Sequence, residues 1–289
     1  METTIEAHYM KKLLFLLPVI ALSACSSGAN YGQEVTDNGQ AETIYNNILI
    51  NSQTPTNYVI DQVYKTEVKY TGANVSESSE ERCYAEVTPQ GYFHFKYTEK
   101  NSEGGMMGSS STTTDYYYGM ADGQLISYLK ITMGGYTLVE SATLGYGDVP
   151  TETEKMNKSM SLIYPMNNGV SLADLLYFAM TDFEYPELHV YSKNNTSLAI
   201  VANDVNPYAN QGQTPMGGGL PIPASSSSSK SKSEIIFENG RIKKINRVIK
   251  VSEDYVQATT TSLANYSYPQ NLTINIPSGW RNALDNGWY

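Results

Sequence analysis

The sequence has few of the side chains that bind metals or form disulfides, since only 2 Cys and 3 His occur among 289 residues. A zinc ribbon, an iron–sulfur cluster or a disulfide scaffold needs more ligands than this, so we expect no metal and no cofactor. Positive charge is also scarce, with 19 Lys and Arg against 29 Asp and Glu and a net charge of −10. This balance argues against a phosphate-neutralising surface, and we expect no nucleic-acid partner.

Catalytic motifs are equally scarce. The chain contains neither a Gly-x-Ser-x-Gly elbow nor a His-Glu-x-x-His motif. His94 falls on the Lys96 side of an alternating segment, which is typical of an exposed strand residue, and Cys83 alternates with small apolar residues, which is typical of a buried structural thiol. We therefore predict no catalytic residues and no enzymatic activity. An envelope hydrolase is an alternative function, and it would need a His or carboxylate cluster in a cleft.

The N-terminus has the pattern of a secretion signal. Two lysines precede the apolar run 13–22, and two small residues then lead to Cys25. A run this short cannot cross a hydrocarbon layer about 30 Å thick as a mature helix. We therefore predict a signal peptide over residues 1–24, with translation starting at Met10 because acidic residues precede it.

The residues before Cys25, Leu22-Ser23-Ala24, resemble the lipobox of bacterial lipoproteins. The resemblance implies cleavage before Cys25, a diacylglycerol on its thiol and often an acyl chain on the new N-terminus. Two or three acyl chains anchor a protein stably, whereas one does not. It also implies an extracytoplasmic location, on the outer face of the plasma membrane or on the outer membrane if the source has two membranes. An ordinary signal followed by a chance cysteine is the alternative.

Beyond the anchor, residues 25–39 are polar and predict a flexible, lipidated tether. Residues 40–289 are predicted to form a single domain. Within it, two segments rich in Ser and Gly, near 101–114 and 203–232, lack core-forming residues and are predicted to be mobile insertions.

The domain shows two kinds of periodicity. Apolar residues recur with helical spacing over 40–51 and 172–183, with a weaker helical stretch at 151–163. About six segments between 64 and 144 alternate instead with a period of two and are separated by turns, which predicts an antiparallel meander. Asn239-Gly240 predicts a further hairpin in the last quarter of the chain.

This order of elements predicts an α+β fold, a curved antiparallel β-sheet or half-barrel with helices packed on its concave face. Two segments, 233–245 and 274–277, resemble the lipoprotein-localisation-factor superfamily, which includes LolA and LolB and the mycobacterial lipoproteins LppX and LprG. The resemblance implies the same half-barrel. No functional residue of that family maps onto this chain, so none is carried over.

Six side chains are candidate ligand-binding residues. On one predicted strand Phe93, Phe95 and Tyr97 point the same way, and they can line the concave side of the sheet opposite the helix residues Leu172, Leu176 and Met180. A partly filled half-barrel would hold the acyl chains of a lipid or other amphiphile there. The alternative is that these residues only pack sheet against helix, in a non-catalytic surface interaction or structural lipoprotein.

Overall fold

The computed structural model describes residues 30–52, 56–70, 75–102, 109–145, 170–205, 231–253 and 255–283. The signal peptide, Cys25, the predicted helix at 151–163, and residues 103–108 and 206–230 of the two predicted insertions therefore lie outside the described residues. The rest of the first predicted insertion lies at the ends of two strands, Phe93–Ser102 and Ser110–Ala121. Among the described residues, no helix is both long enough and apolar enough to span a membrane.

The described residues form a single antiparallel sheet of twelve strands in the order β1-β8-β9-β10-β11-β12-β2-β3-β4-β5-β6-β7. In chain order the strands are β1 (Gln33–Glu34), β2 (Tyr58–Tyr70), β3 (Val75–Val87), β4 (Phe93–Ser102), β5 (Ser110–Ala121), β6 (Gln124–Met133), β7 (Tyr136–Leu144), β8 (Pro186–Ser192), β9 (Leu198–Asp204), β10 (Lys232–Glu238), β11 (Arg241–Glu253) and β12 (Val256–Ser267). The predicted meander corresponds to β2–β7.

Tight turns set the register of the hairpins. Asn239 and Gly240 have φ angles of 54° and 71°, the positive values that a type I′ turn requires. Gly134 and Gly135, with φ angles of 56° and 86°, close the β6–β7 hairpin in the same way. From β12 through β2 to β7 the strand register contains no bulge, so side chains alternate without interruption across these strands.

This alternation divides the sheet into two faces. One row of cross-strand partners contains Ile60, Ala85, Phe95, Tyr116 and Leu129. All of them lie in or against the main hydrophobic cluster, which also includes residues of the two longer helices. We call this side of the sheet the helix-side face, and the other side the opposite face.

The two longer helices cover part of the helix-side face. Helix α1 (Asn38–Ser52) buries Tyr45 and Ile48, and it contacts β9 and β11. Helix α2 (Leu172–Met180) begins with a capping box between Ser171 and Asp174, and it contacts β8, β9 and β10. Because the main contacts of both helices are with β8–β11, the helix-side face of β3–β7 extends well beyond them.

A short third helix, α3 (Trp280–Ala283), packs on the opposite face. Its Trp280 clusters with Ile126 and Tyr128, and the Ser141 hydroxyl donates a hydrogen bond to the Trp280 carbonyl oxygen. The helices therefore do not all lie on one side of the sheet, in contrast to the predicted arrangement. The predicted antiparallel sheet with few helices is confirmed.

The segment before α1 differs from the flexible tether predicted over 25–39. Strand β1 pairs with β8, matching Gln33 with Ser192, and the Val35 amide donates to the Val190 carbonyl oxygen at 2.8 Å. A strand of two residues has no detectable alternation, so its pairing could not be predicted from local sequence. The folded domain therefore begins closer to Cys25 than predicted.

Candidate functional site

Five of the six predicted ligand-binding residues lie in or against the main hydrophobic cluster. Phe93 is 2% exposed and Leu172 is 8% exposed, and both belong to that cluster. Phe95, Leu176 and Met180 are half-buried and pack against it. The main contacts of α2 are with β8, β9 and β10, so the direct opposition of β4 and α2 stays a prediction.

Polarity changes along the helix-side face of β4. Phe93 is buried, Phe95 is half-buried, and the next residue on this face, Tyr97, lies outside the hydrophobic cluster. Burial, followed by a hydrogen bond to Glu81, raises the pKa of the Tyr97 hydroxyl. Glu99 follows Tyr97 on the same face. The helix-side face of β4 therefore has a buried apolar end at Phe93 and a carboxylate end at Glu99, with the half-buried rings of Phe95 and Tyr97 between them.

Exposed apolar side chains surround the polar end of this strand. Tyr64 is 39% exposed, Leu138 37%, Met133 60% and Tyr136 83%. The strand register places all four on the helix-side face, with Tyr64, Met133 and Tyr136 in one cross-strand row. Met133, Tyr136 and Leu138 are neighbours on β6 and β7, whereas Tyr64 lies on β2 at the other end of the row. Neighbouring exposed apolar side chains are typical of an interaction or ligand-binding surface.

The only cysteine among the described residues, Cys83, lies in the same cross-strand row as Tyr97. Burial and the nearby charge of Asp61 raise its pKa to about 12. The thiolate is the nucleophilic form of cysteine, and at neutral pH this thiol remains protonated. Its environment therefore suits the structural role expected from the sequence.

His94 lies on the opposite face, but it is less exposed than expected and has close partners on both neighbouring strands. Its Nδ1 lies 3.2 Å from a Glu86 oxygen, and its Nε2 lies 3.4 Å from an Asp115 oxygen. Its ring stacks on Tyr117 at a centroid distance of 4.1 Å, and its side chain is only 16% exposed. Sequence reasoning missed these contacts because the partners come from β3 and β5, and only the strand register reveals them.

The sheet separates His94 from Cys83, so the two do not form a nucleophile–base pair. Within the described ranges, no group of three or more His, Cys, Asp or Glu side chains could hold a metal ion. The side chains that converge on the helix-side face are aromatic, aliphatic and carboxylate groups. They can bind a ligand through burial, ring stacking and hydrogen bonds.

A second buried polar group lies on the opposite face near β1. Glu234 is 6% exposed and accepts hydrogen bonds from the Tyr31 hydroxyl and from the Asn246 amide at 2.9 Å, while Lys232 lies 2.8 Å away. Burial raises the pKa of Glu234, but these three partners outweigh it and hold the pKa at about 2. This cluster fastens the segment before β1 to the sheet.

No protein-family model matches the chain, and neither does any curated protein. Among solved structures, the crystal structure of a beta-barrel-like protein of a domain of unknown function from Brucella abortus matches at 9% identity. The match covers 75% of this chain and 100% of that chain, with a TM-score of 0.23. A likeness this weak supports no statement about function.

Proposed function

We propose that this protein is an extracytoplasmic lipoprotein, anchored through Cys25, that binds a lipid or other single-chain amphiphile on the helix-side face of its sheet. The observation that carries the proposal is the change along β4 from buried Phe93 to the Tyr97–Glu81 pair. An amphiphile needs an apolar surface for its chain that continues into a polar surface for its head group.

The surroundings of β4 support the chain-binding part of this proposal. Phe95, Leu176 and Met180 remain half-buried beside the packed core, and Leu138 and Met133 continue the apolar surface towards the sheet edge. Covering such side chains with an alkyl chain removes apolar area from water, at about 25 cal/mol for each Å². The proposal includes a half-barrel curvature, with α1 and α2 on its concave side.

One observation favours the second candidate, a non-catalytic interaction or structural lipoprotein. Phe93 and Leu172 both belong to one continuous packed core, so neither side chain is open to a ligand. In this alternative the exposed apolar side chains would contact another protein. The two candidates share the anchor and the absence of catalysis, and they differ in whether an alkyl chain occupies the helix-side face.

Binding of an alkyl probe distinguishes the candidates. The mature chain, residues 25–289, carrying Cys25→Ser keeps every described residue and lacks both the apolar signal run and the acylation site. It needs no detergent and can be titrated with decyl maltoside below its critical micelle concentration. We expect saturable binding of about one probe molecule, weakened on the order of tenfold by Leu138→Glu, because a charge would then face the alkyl chain.

Tyr255→Glu is the matched control, since Tyr255 is 76% exposed and precedes β12 away from this face. It should leave probe binding unchanged. Equal loss of binding in the two variants, or no saturable binding by the parent chain, would reject the amphiphile site and favour the second candidate.

A further inference from the structure

Charge is distributed unequally between the two faces of strands β2–β7. The strand register places every Lys and Arg of these six strands on the opposite face: Lys65, Lys69, Arg82, Lys96, Lys100 and Lys130. The charged residues of the helix-side face are all acidic: Glu77, Glu81, Glu99 and Glu140. The face proposed to bind a ligand therefore carries negative charge without positive charge from these strands.

The acidic residues of the opposite face lie close to basic groups. Lys65 is 2.6 Å from Glu67, Arg82 is 2.8 Å from Asp61, and Lys100 is 3.7 Å from Glu80. The remaining two, Glu86 and Asp115, flank His94. On this face, three of the five carboxylates therefore lie next to a Lys or Arg side chain.

On the helix-side face, three carboxylates accept hydrogen bonds from neutral donors instead. Glu77 accepts from the Tyr70 hydroxyl at 3.4 Å, Glu81 is hydrogen-bonded to Tyr97, and Glu99 accepts from the Asn101 amide at 2.7 Å. Among the described residues, none of these three carboxylates forms an ion pair. Their negative charge is therefore not neutralised by Lys or Arg.

Glu81 and Glu99 are also direct cross-strand partners. Like charges directly opposite each other destabilise a strand pair, and a cation between them would relieve that repulsion. Arg247 on β11 also lies on the helix-side face, three strands from β3. It already donates hydrogen bonds to Asp182 at 3.1 Å and to the Thr181 carbonyl oxygen.

Aromatic rings lie beside these carboxylates. Tyr64 is the cross-strand partner of Glu81, and Tyr97 is hydrogen-bonded to Glu81. Faces of aromatic rings attract ammonium groups, and aromatic residues combined with negative charge are a common way to bind alkylated ammonium ions. The exposed apolar surface points to a ligand independently of the carboxylates.

We propose, building on the function proposed above, that the amphiphile bound on the helix-side face has a cationic, ammonium-type head group. Glu81 and Glu99 are the residues that select it. A carboxylate or phosphate head group is disfavoured because it meets like charge there.

Three probes with the same ten-carbon chain test this selectivity. The mature chain, residues 25–289, carrying Cys25→Ser is titrated with decyltrimethylammonium, decyl maltoside and decanoate, each below its critical micelle concentration, while circular dichroism monitors folding. We expect decyltrimethylammonium to bind on the order of tenfold more tightly than decanoate, with a preference that shrinks as salt is added.

Glu81→Gln and Glu99→Gln are expected to weaken decyltrimethylammonium binding about threefold to tenfold and to leave decyl maltoside binding unchanged. Glu80→Gln is the matched control, because it removes the same charge from the opposite face of the same strand. Decanoate binding as tightly as decyltrimethylammonium, or Glu80→Gln matching Glu81→Gln, would overturn the selectivity while leaving the amphiphile site intact. No binding by any probe would overturn both.

Discussion

Tyr31 donates a hydrogen bond from its hydroxyl group to Glu234, although the two residues are 203 positions apart in the chain. The bond matters for the proposed anchor because Tyr31 follows Cys25 by only six positions (31 − 25). A fully extended chain of six residues spans about 20 Å. If Cys25 is lipidated as proposed, the β1 edge of the sheet is held within that distance of the membrane surface.

Removing this hydroxyl should loosen the segment before α1. Tyr31→Phe keeps the ring contact with Tyr191 but leaves a buried carboxylate with one donor fewer, which costs about 1 kcal/mol. We expect faster hydrogen exchange at the Val35 amide, with little change at amides in β3–β5. Tyr255→Phe removes an exposed hydroxyl and is the control. Unchanged exchange at Val35 would show that Glu234 does not hold this segment.

Glu234 should make a defined contribution to the pH dependence of stability. Its pKa is about 2 in the folded protein, against an ordinary value of 4.5. Because the folded-state pKa is depressed, the stabilisation is complete above about pH 4.5 and is lost as the pH falls towards 2. Its size is on the order of 3 kcal/mol.

Urea unfolding of wild type and of Glu234→Gln is measured at pH 6 and at pH 3. The difference between the two proteins separates the contribution of Glu234 from the contributions of the other carboxylates. We expect the stability gap between the two proteins to narrow as the pH is lowered. A gap that stays constant between the two pH values would mean that the carboxylate is not stabilised in its charged form.

The two cysteines should differ in their effect on membrane attachment. Cys25→Ser is combined with replacement of residues 1–24 by a signal peptide that is cleaved without lipidation, so that neither acyl chains nor the apolar run 13–22 remain. The protein should then move from the detergent-rich phase to the aqueous phase when cells are extracted with Triton X-114. Cys83→Ser is the control, because Cys83 lies within the sheet and should not affect partitioning. Equal partitioning of wild type and Cys25→Ser would reject the anchor without bearing on ligand binding.

The β10–β11 turn should tolerate a side chain poorly at its second residue. Gly240 has a φ angle of 71°, and an added Cβ would lie 2.7 Å from the Cβ of Asn51 on α1. Gly134, with a φ angle of 56°, has no atom within 4 Å of such a Cβ and reports backbone strain alone.

Gly134→Ala should therefore cost about 1 kcal/mol of unfolding free energy. Gly240→Ala should cost at least about 1 kcal/mol more, because α1 must shift away from the turn. Thermal and urea unfolding of the two variants give the comparison. Equal destabilisation would indicate that α1 does not press against this turn.

Much of the sheet could be predicted from the sequence because β2–β7 alternate regularly and their turns contain glycine. The helix at 172–183 was predictable for a similar reason, since its apolar stripe and its Ser171 cap are local signals. The packing of Phe95 and of Leu176 against the main hydrophobic cluster also followed, because both belong to apolar faces that need a partner.

Features that depend on distant pairing could not be predicted. Strand β1 is only two residues long, and the partner of Tyr31 is remote in sequence. The setting of His94 depends on which residues of β3 and β5 lie beside it, and local alternation does not reveal that register. The pairing of Glu81 with Glu99 is hidden for the same reason.

The most direct test of the account is to locate a bound alkyl chain on the protein. A decyl ammonium probe with a diazirine at the end of its chain is photolysed with the mature chain, residues 25–289, carrying Cys25→Ser, and the adducts are mapped by peptide mass spectrometry. We expect saturable adducts on β4 and α2, at or near Phe95 and Leu176, that are removed by excess decyltrimethylammonium. Adducts spread over the opposite face, or labelling that does not saturate, would contradict this expectation.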